Sequence, residues 1–365
     1  MNLLLVLYLD LDHQEDFKMF DYDVYNLDSY NYDLPSELIA QYPSDIRDHS
    51  RLLVVNRKDN TIKEEKYFYN IINYFNKGDV IVRNNTKVIP ARLYGIKEGT
   101  GAKVEVLLLH ENSKNIWECL TGNAKVIKVG TRINFSEKLY GICKEIKEEG
   151  IRIFEFFYSG IFLEILNEIA QMPLPPYIKK YVGDKERYQT TYACISGSSA
   201  APTAGFHFTK ELFDKLKEKG VEIVDVTLHI GLGTFKPVKE NDIRNHDMHF
   251  EYYNVSSDAA KIINKAKIEN RRIISIGTTS TRTLESVYKK FGTIKEDSDK
   301  TNLFIYPGFK FNVVDSLVTN FHLPKSTLLM LVSAFASRDL ILKAYNYAVK
   351  NKYRFFSFGD AMLIL

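Results

Sequence analysis

Cysteine is scarce in this chain. Its three residues, Cys119, Cys143 and Cys194, are odd in number, widely spaced and lack any C-x-x-C pair. That spacing excludes a disulfide framework and a zinc knuckle, and fits a reducing compartment, the cytoplasm. An excess of one charge is also missing. With 49 Lys and Arg against 46 Asp and Glu, the net charge of +3 excludes a general polyanion binder and leaves room only for a local basic face. There is no long apolar run either. Leu3-Leu4-Leu5-Val6-Leu7-Tyr8-Leu9 is too short to span a bilayer, has no basic flank before it and is followed by Asp10, Asp12, Glu15 and Asp16. Residues 1–27 are therefore expected to be a terminal extension with no membrane role, a packed amino-terminal strand or a start at Met19 being the alternatives.

Two familiar site patterns are absent as well. Gly231-Leu232-Gly233-Thr234-Phe235-Lys236-Pro237 invites a dinucleotide reading, but Pro237 and the lack of a helical pattern after the glycines remove the helix that such a loop needs. His246-Asp247-Met248-His249-Phe250-Glu251 clusters histidines with a carboxylate, yet lacks H-E-x-x-H spacing. Acid/base or hydrogen-bonding roles for His249 and Glu251 are expected there, with no metal and a surface turn as the alternative.

What is present centres on Gly197-Ser198-Ser199-Ala200-Ala201-Pro202-Thr203-Ala204-Gly205-Phe206-His207-Phe208-Thr209, thirteen residues without Lys, Arg, Asp or Glu. A loop so poor in charge is expected to lie against something, either a ligand or the rest of the protein. Thr209 is placed to cap a helix carrying Leu212, Phe213 and Leu216 inward, and Gly220 to end it. His207 then sits just ahead of a helix amino terminus, whose partial positive charge is expected to depress its pKa.

With 365 residues and 45% hydrophobic content, the chain can bury a sizeable core, and its length suggests two domains. A short helix is expected near Pro35 and a buried strand at Arg51–Val55. Between about Gly78 and Phe157, short alternating runs such as Val104–Leu109, Ile116–Leu120 and Ile151–Phe156 suit a small β-barrel or sandwich. Residues 78–157 are read as this inserted all-β domain. Residues 28–77 and 158–365 are read as a discontinuous α/β domain. Phe162, Leu163, Leu166 and Ile169 recur at helical spacing, and Pro173-Leu174-Pro175-Pro176 follows as a stiff connection. Beyond it, Lys179, Lys180, Lys185 and Arg187 lie among Tyr177, Tyr181 and Tyr188, a candidate contact for phosphates and exposed bases or else a solvated linker.

In the carboxyl-terminal half, Val224, Val226, Leu228 and Ile230 alternate with Asp225, Thr227 and His229, so His229 is expected on a polar face. The strand Arg272–Ile276, the turn Gly277-Thr278-Thr279-Ser280-Thr281-Arg282 and the helix after it form a candidate anion cradle, with plain helix capping as the alternative. Leu303–Tyr306 and Phe309–Phe311 flank Pro307-Gly308 as a hairpin-like pair, and Leu328–Phe335 is a helix apolar on nearly every side.

Several separated motifs resemble, in order, the S-adenosylmethionine:tRNA ribosyltransferase-isomerase family of the queuosine pathway. They are Pro173-Leu174-Pro175-Pro176-Tyr177-Ile178, Glu186-Arg187-Tyr188-Gln189-Thr190, Ala200–Gly205 with His207-Phe208-Thr209, Thr227–Phe235, Met248-His249, Gly277-Thr278-Thr279-Ser280 and Thr319-Asn320-Phe321-His322-Leu323-Pro324-Lys325-Ser326. The resemblance runs from about Tyr32 to the carboxyl terminus. It departs from the family pattern at Ser199, Phe206 and Phe250, none of which removes a histidine.

The resemblance implies an α/β domain, discontinuous in sequence, with an inserted β-barrel. It implies transfer of the ribosyl portion of S-adenosylmethionine to the aminomethyl group of a 7-deazaguanine at the tRNA wobble position, with loss of adenine and methionine. S-adenosylmethionine is then a consumed substrate, and no cofactor is expected. Proton movements at an amine, beside a sulfonium and at a leaving adenine suit neutral imidazoles, so His207, His229, His249 and His322, with Glu251, are the acid/base candidates. Pro202, Thr203, Ala204, Gly205, Gly277, Thr278, Thr279, Ser280 and Arg282 are the candidate contacts for S-adenosylmethionine. Arg92, Lys179, Lys180, Arg187 and Tyr188 are the candidates for tRNA, and a monomer is expected.

Overall fold

The computed structural model describes residues 22–365 apart from 176, 180–183 and 232–237. After short turns such as Ser36–Leu38, the chain forms strands β1 (Leu52–Asn56), β2 (Thr61–Glu65), β3 (Val80–Asn84) and β4 (Thr86–Val88). Strands β5 (Arg92–Lys97), β6 (Lys103–Ser113), β7 (Ile116–Thr121), β8 (Arg132–Ser136), β9 (Leu139–Ile146) and β10 (Ile151–Tyr158) follow, then helix α1 (Phe162–Ile169). The second half supplies β11 (Ile195–Ser198), α2 (Lys210–Glu218), β12 (Glu222–His229), β13 (Glu251–Val255), α3 (Ser257–Ile268), β14 (Ile273–Ile276) and α4 (Gly277–Phe291). It ends with β15 (Asp297–Thr301), β16 (Ser316–Asn320), α5 (Thr327–Ala336), α6 (Arg338–Lys350) and β17 (Ala361–Ile364).

Among the described residues the main sheet has the order β15-β13-β12-β3-β14-β16-β17-β1-β2. Its centre is parallel, with β12 on β3, β3 on β14 and β14 on β16. Parallel strands are buried on both faces, and Val80, Ile81 and Val82 accordingly have no exposed surface. Leu53, Val55, Val80 and Val82 face a core completed by α3 to α6. Leu52, Val54 and Ile81 face the other way, onto Phe68, Ile71 and the apolar side of α2. Both faces are thus covered, giving the α/β domain expected. Among the described residues no helix is long and apolar enough to cross a membrane.

The inserted module is a closed antiparallel barrel in the order β10-β7-β6-β5-β8-β9. Its alternating strands point Val104, Val106, Leu108, Cys119, Phe154 and Phe156 into one core, and Ile165 and Leu166 of α1 pack into the same core. This corrects the limits drawn from sequence. β3 is a strand of the main sheet, so a boundary at Gly78 cuts that sheet, and α1 belongs to the barrel rather than to the α/β domain. An apolar run of three residues signals a buried strand without saying which sheet buries it.

Three smaller expectations also change. The helix expected near Pro35 is a single turn, Ser36–Leu38. No hairpin forms between Leu303–Tyr306 and Phe309–Phe311, which flank a turn at Pro307-Gly308 without strand pairing; the edge of the sheet is the polar strand β15, paired with β13. The end of the expected extension is tied down: Leu27 is buried and its backbone N–H donates to the Asn241 carbonyl. Residues 1–21 lie outside the described residues.

Candidate active site

The carboxyl ends of β3, β12, β14 and β16 meet the small-residue loop, the place where ligands bind in open α/β sheets. The loop is knitted in before it reaches the cleft. Ser198 Oγ accepts from the Ile230 backbone N–H at 2.8 Å, and Ser199 Oγ donates to the Leu108 carbonyl of the barrel at 2.8 Å. Ala201, Pro202, Thr203 and Ala204 then form one wall of a cleft that Gly277, Thr278 and Thr279 face from α4. Ile230, Thr319, Asn320 and His322 also contribute, and the cavity they enclose is small, about 60 Å³. Thr209 caps α2 as expected, accepting from the Leu212 N–H at 3.1 Å. A larger hollow opens at the amino-terminal ends of β14 and β16. Arg57, Arg271 and Arg272 at its rim are bonded to neighbouring carbonyls and carboxylates, which leaves little there to hold a ligand.

The start of α4 is the strongest electrostatic feature of the cleft. Ile276 precedes it without a side-chain cap, and Gly277 takes φ +84°, a conformation that strains any residue with a Cβ. The amino terminus of this 15-residue helix therefore meets the cleft without a side-chain cap, a setting that favours an anion. The hydroxyl-rich segment is less available than the sequence suggests. Ser280 Oγ donates back to the Ile276 carbonyl at 2.9 Å and Thr281 Oγ1 to Gly277, as hydroxyls in helices do. Arg282 turns away to pair with Glu251; the two side chains are 3% and 2% exposed. Arg282 Nε also donates to the Leu303 carbonyl at 3.0 Å, and Glu251 Oε1 accepts from the Gly231 N–H at 3.2 Å. Gly205 likewise serves packing: a Cβ there would come within 2.1 Å of the Tyr192 hydroxyl.

His207 is buried and both ring nitrogens are engaged. The Thr203 hydroxyl donates to Asn320 Oδ1 at 2.9 Å, so the Asn320 amide nitrogen faces His207 Nε2 at 3.1 Å. The imidazole proton then sits on Nδ1 and donates to Ser50 Oγ at 2.7 Å. Burial, with Arg47 and Arg354 adding to it, lowers the His207 pKa to about 3. The cause is desolvation rather than the helix dipole expected from sequence. His322 opens on the cleft, with Nε2 2.9 Å from Thr319 Oγ1, and burial lowers its pKa to about 3. His229 shares a 2.7 Å hydrogen bond between Nδ1 and Thr86 Oγ1; burial and then the nearby His110 lower its pKa to about 4.

His249 is exposed just ahead of β13, and His246 pairs with Glu240 at 3.3 Å. Glu251 is paired with Arg282, and among the described residues no group of three or more His, Cys, Asp and Glu is placed to hold a metal.

Three imidazoles kept neutral by burial have a consequence for stability. Their pKa values lie below that of an unfolded histidine, so between about pH 6.5 and the folded values the unfolded chain binds more protons than the folded one. Stability is then full above about pH 6.5 and falls as the pH drops toward 3 to 4. Melting temperatures across pH 4 to 8 are expected to show this acid-side loss, with a shallower slope in His207→Gln. An unchanged slope in that variant contradicts the assignment.

The residues proposed for RNA divide sharply. Tyr188 has no exposed surface and packs on Phe206 and Phe358, so it is core and not a base platform. Arg187 donates to the carbonyls of Ser44 and Asp45, and Arg92 is held between Glu105 and the Leu174 carbonyl. Lys179 is exposed. Lys180 lies outside the described residues, as does the side chain of Lys185.

The model of a family described as "Queuosine biosynthesis protein" matches residues 27–364. The chain belongs to that family. Among its relatives, it is 54% identical over 341 residues to the S-adenosylmethionine:tRNA ribosyltransferase-isomerase of Staphylococcus haemolyticus (strain JCSC1435), covering 93% of this chain and 100% of that one. It is 55% identical over 336 residues to the protein of the same name from Clostridioides difficile (strain 630), covering 92% and 98%. A solved structure of an S-adenosylmethionine tRNA ribosyltransferase from Thermotoga maritima is 40% identical, covers 92% of this chain and all of that one, and superposes with a TM-score of 0.54.

Sequence reasoning missed the groups that connect the site. Asn320 stood inside a quoted motif, but its link to Thr203 and His207 spans more than a hundred residues. Asn84 likewise clamps the end of β12: its Oδ1 accepts from the Leu228 N–H at 3.0 Å and its Nδ2 donates to the Leu228 carbonyl at 2.9 Å. An asparagine at the carboxyl end of a strand, as in Ser316-Leu317-Val318-Thr319-Asn320, was the available signal.

Proposed function

We propose that the chain transfers and isomerises the ribosyl moiety of S-adenosylmethionine onto 7-aminomethyl-7-deazaguanine at the wobble position of tRNA. The products are epoxyqueuosine-tRNA, adenine and methionine. The names of the relatives support this reading, and one observation carries it at the level of the site: the uncapped amino terminus of α4 faces the Ala201–Ala204 wall across a single cleft. The α4 amides suit the carboxylate of the methionine portion. The small side chains of Ala201, Pro202 and Ala204 let the nucleoside approach the backbone.

Within that cleft His322 is the candidate for moving a proton, because it reaches the open space as a neutral imidazole. Burial holds its pKa low, which keeps the ring unprotonated and able to accept a proton. His207 acts one step back, through the Asn320 amide, and is a positioning residue. Arg282 and Glu251 brace α4 against β13 rather than touching the substrate. Lys179 and an exposed face beside the barrel serve the tRNA. The reading includes a cytoplasmic monomer with no resident cofactor, and the three cysteines, free in the structure, accord with a reducing compartment.

The test is chromatographic. Purified protein, S-adenosylmethionine and tRNA bearing the aminomethyl base are expected to release adenine, and omission of the tRNA is expected to stop it. Adenine release that ignores the tRNA, or no release at all, overturns the proposal.

A further inference from the structure

The outer face of the three strands at one edge of the sheet carries a row that the cleft does not use. The register places His229 of β12 opposite Tyr252 of β13, and Tyr252 opposite Lys300 of β15. The barrel adds a third ring beside the row. His110, on β6, lies 6.4 Å from the Tyr252 ring at an interplanar angle of 23°, and His229 lies 6.3 Å from it at 17°. Three ring planes are thus nearly parallel and within the range of offset stacking. Phe250, two residues before Tyr252, is 65% exposed. Lys300 is exposed, and its charge is felt at His110, so the ammonium stands on the same side as the rings. The carboxylates nearest His110 are already engaged: Glu118 pairs with Lys147 at 2.8 Å and Glu111 accepts from the Asn115 N–H at 3.0 Å.

We propose that Tyr252, flanked by His110 and Lys300, is the seat of an unpaired nucleotide next to the one being modified, its base stacked on the tyrosine ring and its phosphate on the lysine. Resting on the proposed tRNA reaction, this adds the surface that receives the acceptor. The occupant is set by the chemistry of the row. Flat ring faces beside a cation match single-stranded nucleic acid, whose every base has a π-face and whose backbone is anionic. The place fits too, because His229 ends β12 and the next residue, Ile230, lines the cleft. A base seated in the cleft would bring its chain neighbour to this row. Strand-borne rings are also stiff, so little ordering is lost on binding.

The test is binding of an anticodon stem-loop RNA, read by fluorescence anisotropy, alongside Michaelis constants for both substrates. Tyr252→Ala is expected to weaken RNA binding about tenfold or more. Tyr252→Phe, which keeps the ring, should bind like the native protein. The KM for S-adenosylmethionine should stay within about twofold in both variants, and melting temperatures show whether each is folded. Lys300→Ala is expected to lower the salt dependence of RNA binding by about one unit of slope. RNA affinity unchanged in a folded Tyr252→Ala overturns the proposal, as does an equal loss in Tyr252→Phe. Native protein that binds the RNA through Tyr252 but releases no adenine leaves this surface standing and removes the reaction reading instead.

Discussion

Arg282→Ala is expected to destabilise the protein by about 3–5 kcal/mol, because it leaves the Glu251 carboxylate buried without its counter-charge. Both side chains are nearly sealed from solvent, and neither Leu303 nor Gly231 can replace the missing charge. Thermal and denaturant unfolding should both show the loss. The double variant Arg282→Met with Glu251→Leu is expected to recover most of it, since an apolar pair of similar volume removes two desolvation costs together. If Arg282→Ala melts within a degree or two of the native protein, the pair is not the brace described here. Two of the three guanidinium nitrogens of Arg282 are turned into the protein, Nη1 toward Glu251 and Nε toward the Leu303 carbonyl.

The second large effect is catalytic. His322→Ala is expected to lower kcat at least about a hundredfold, the usual scale for losing a positioned acid or base. KM for S-adenosylmethionine should move much less, because the α4 amides and the Ala201–Ala204 wall remain. Asn320→Ala offers the contrast. It frees His207 Nε2 and the Thr203 hydroxyl at once, so kcat and thermal stability should fall together. Rates for His322→Ala within a few-fold of native would remove His322 from the reaction.

Much of this arrangement was legible from local pattern. Alternation with period two marked the barrel strands, Thr209 announced α2, and the charge-poor loop lies where its composition suggested, part wall of a cleft and part buried connection. What local pattern hides is pairing over distance. Glu251 and Arg282 each look like site residues until the fold brings them together and spends them on each other. Tyr188, surrounded in sequence by basic residues, becomes core because Phe206 and Phe358 close over it. Val80–Val82 reads equally well as a barrel strand or a sheet strand, since a fully buried strand carries no alternation to say which neighbours it has. His110 gave no signal at all, being one histidine on a long barrel strand; only docking of the barrel beside β13 gives it a partner.

The most direct test follows the atoms. With S-adenosylmethionine labelled in the ribose in one experiment and in the methyl group in another, tRNA bearing the aminomethyl base should acquire the ribose label at the wobble nucleotide, with one adenine released per label transferred. The methyl label should remain with free methionine. Methyl label in the tRNA, or adenine released without ribose label in the nucleotide, would contradict ribosyl transfer by this chain.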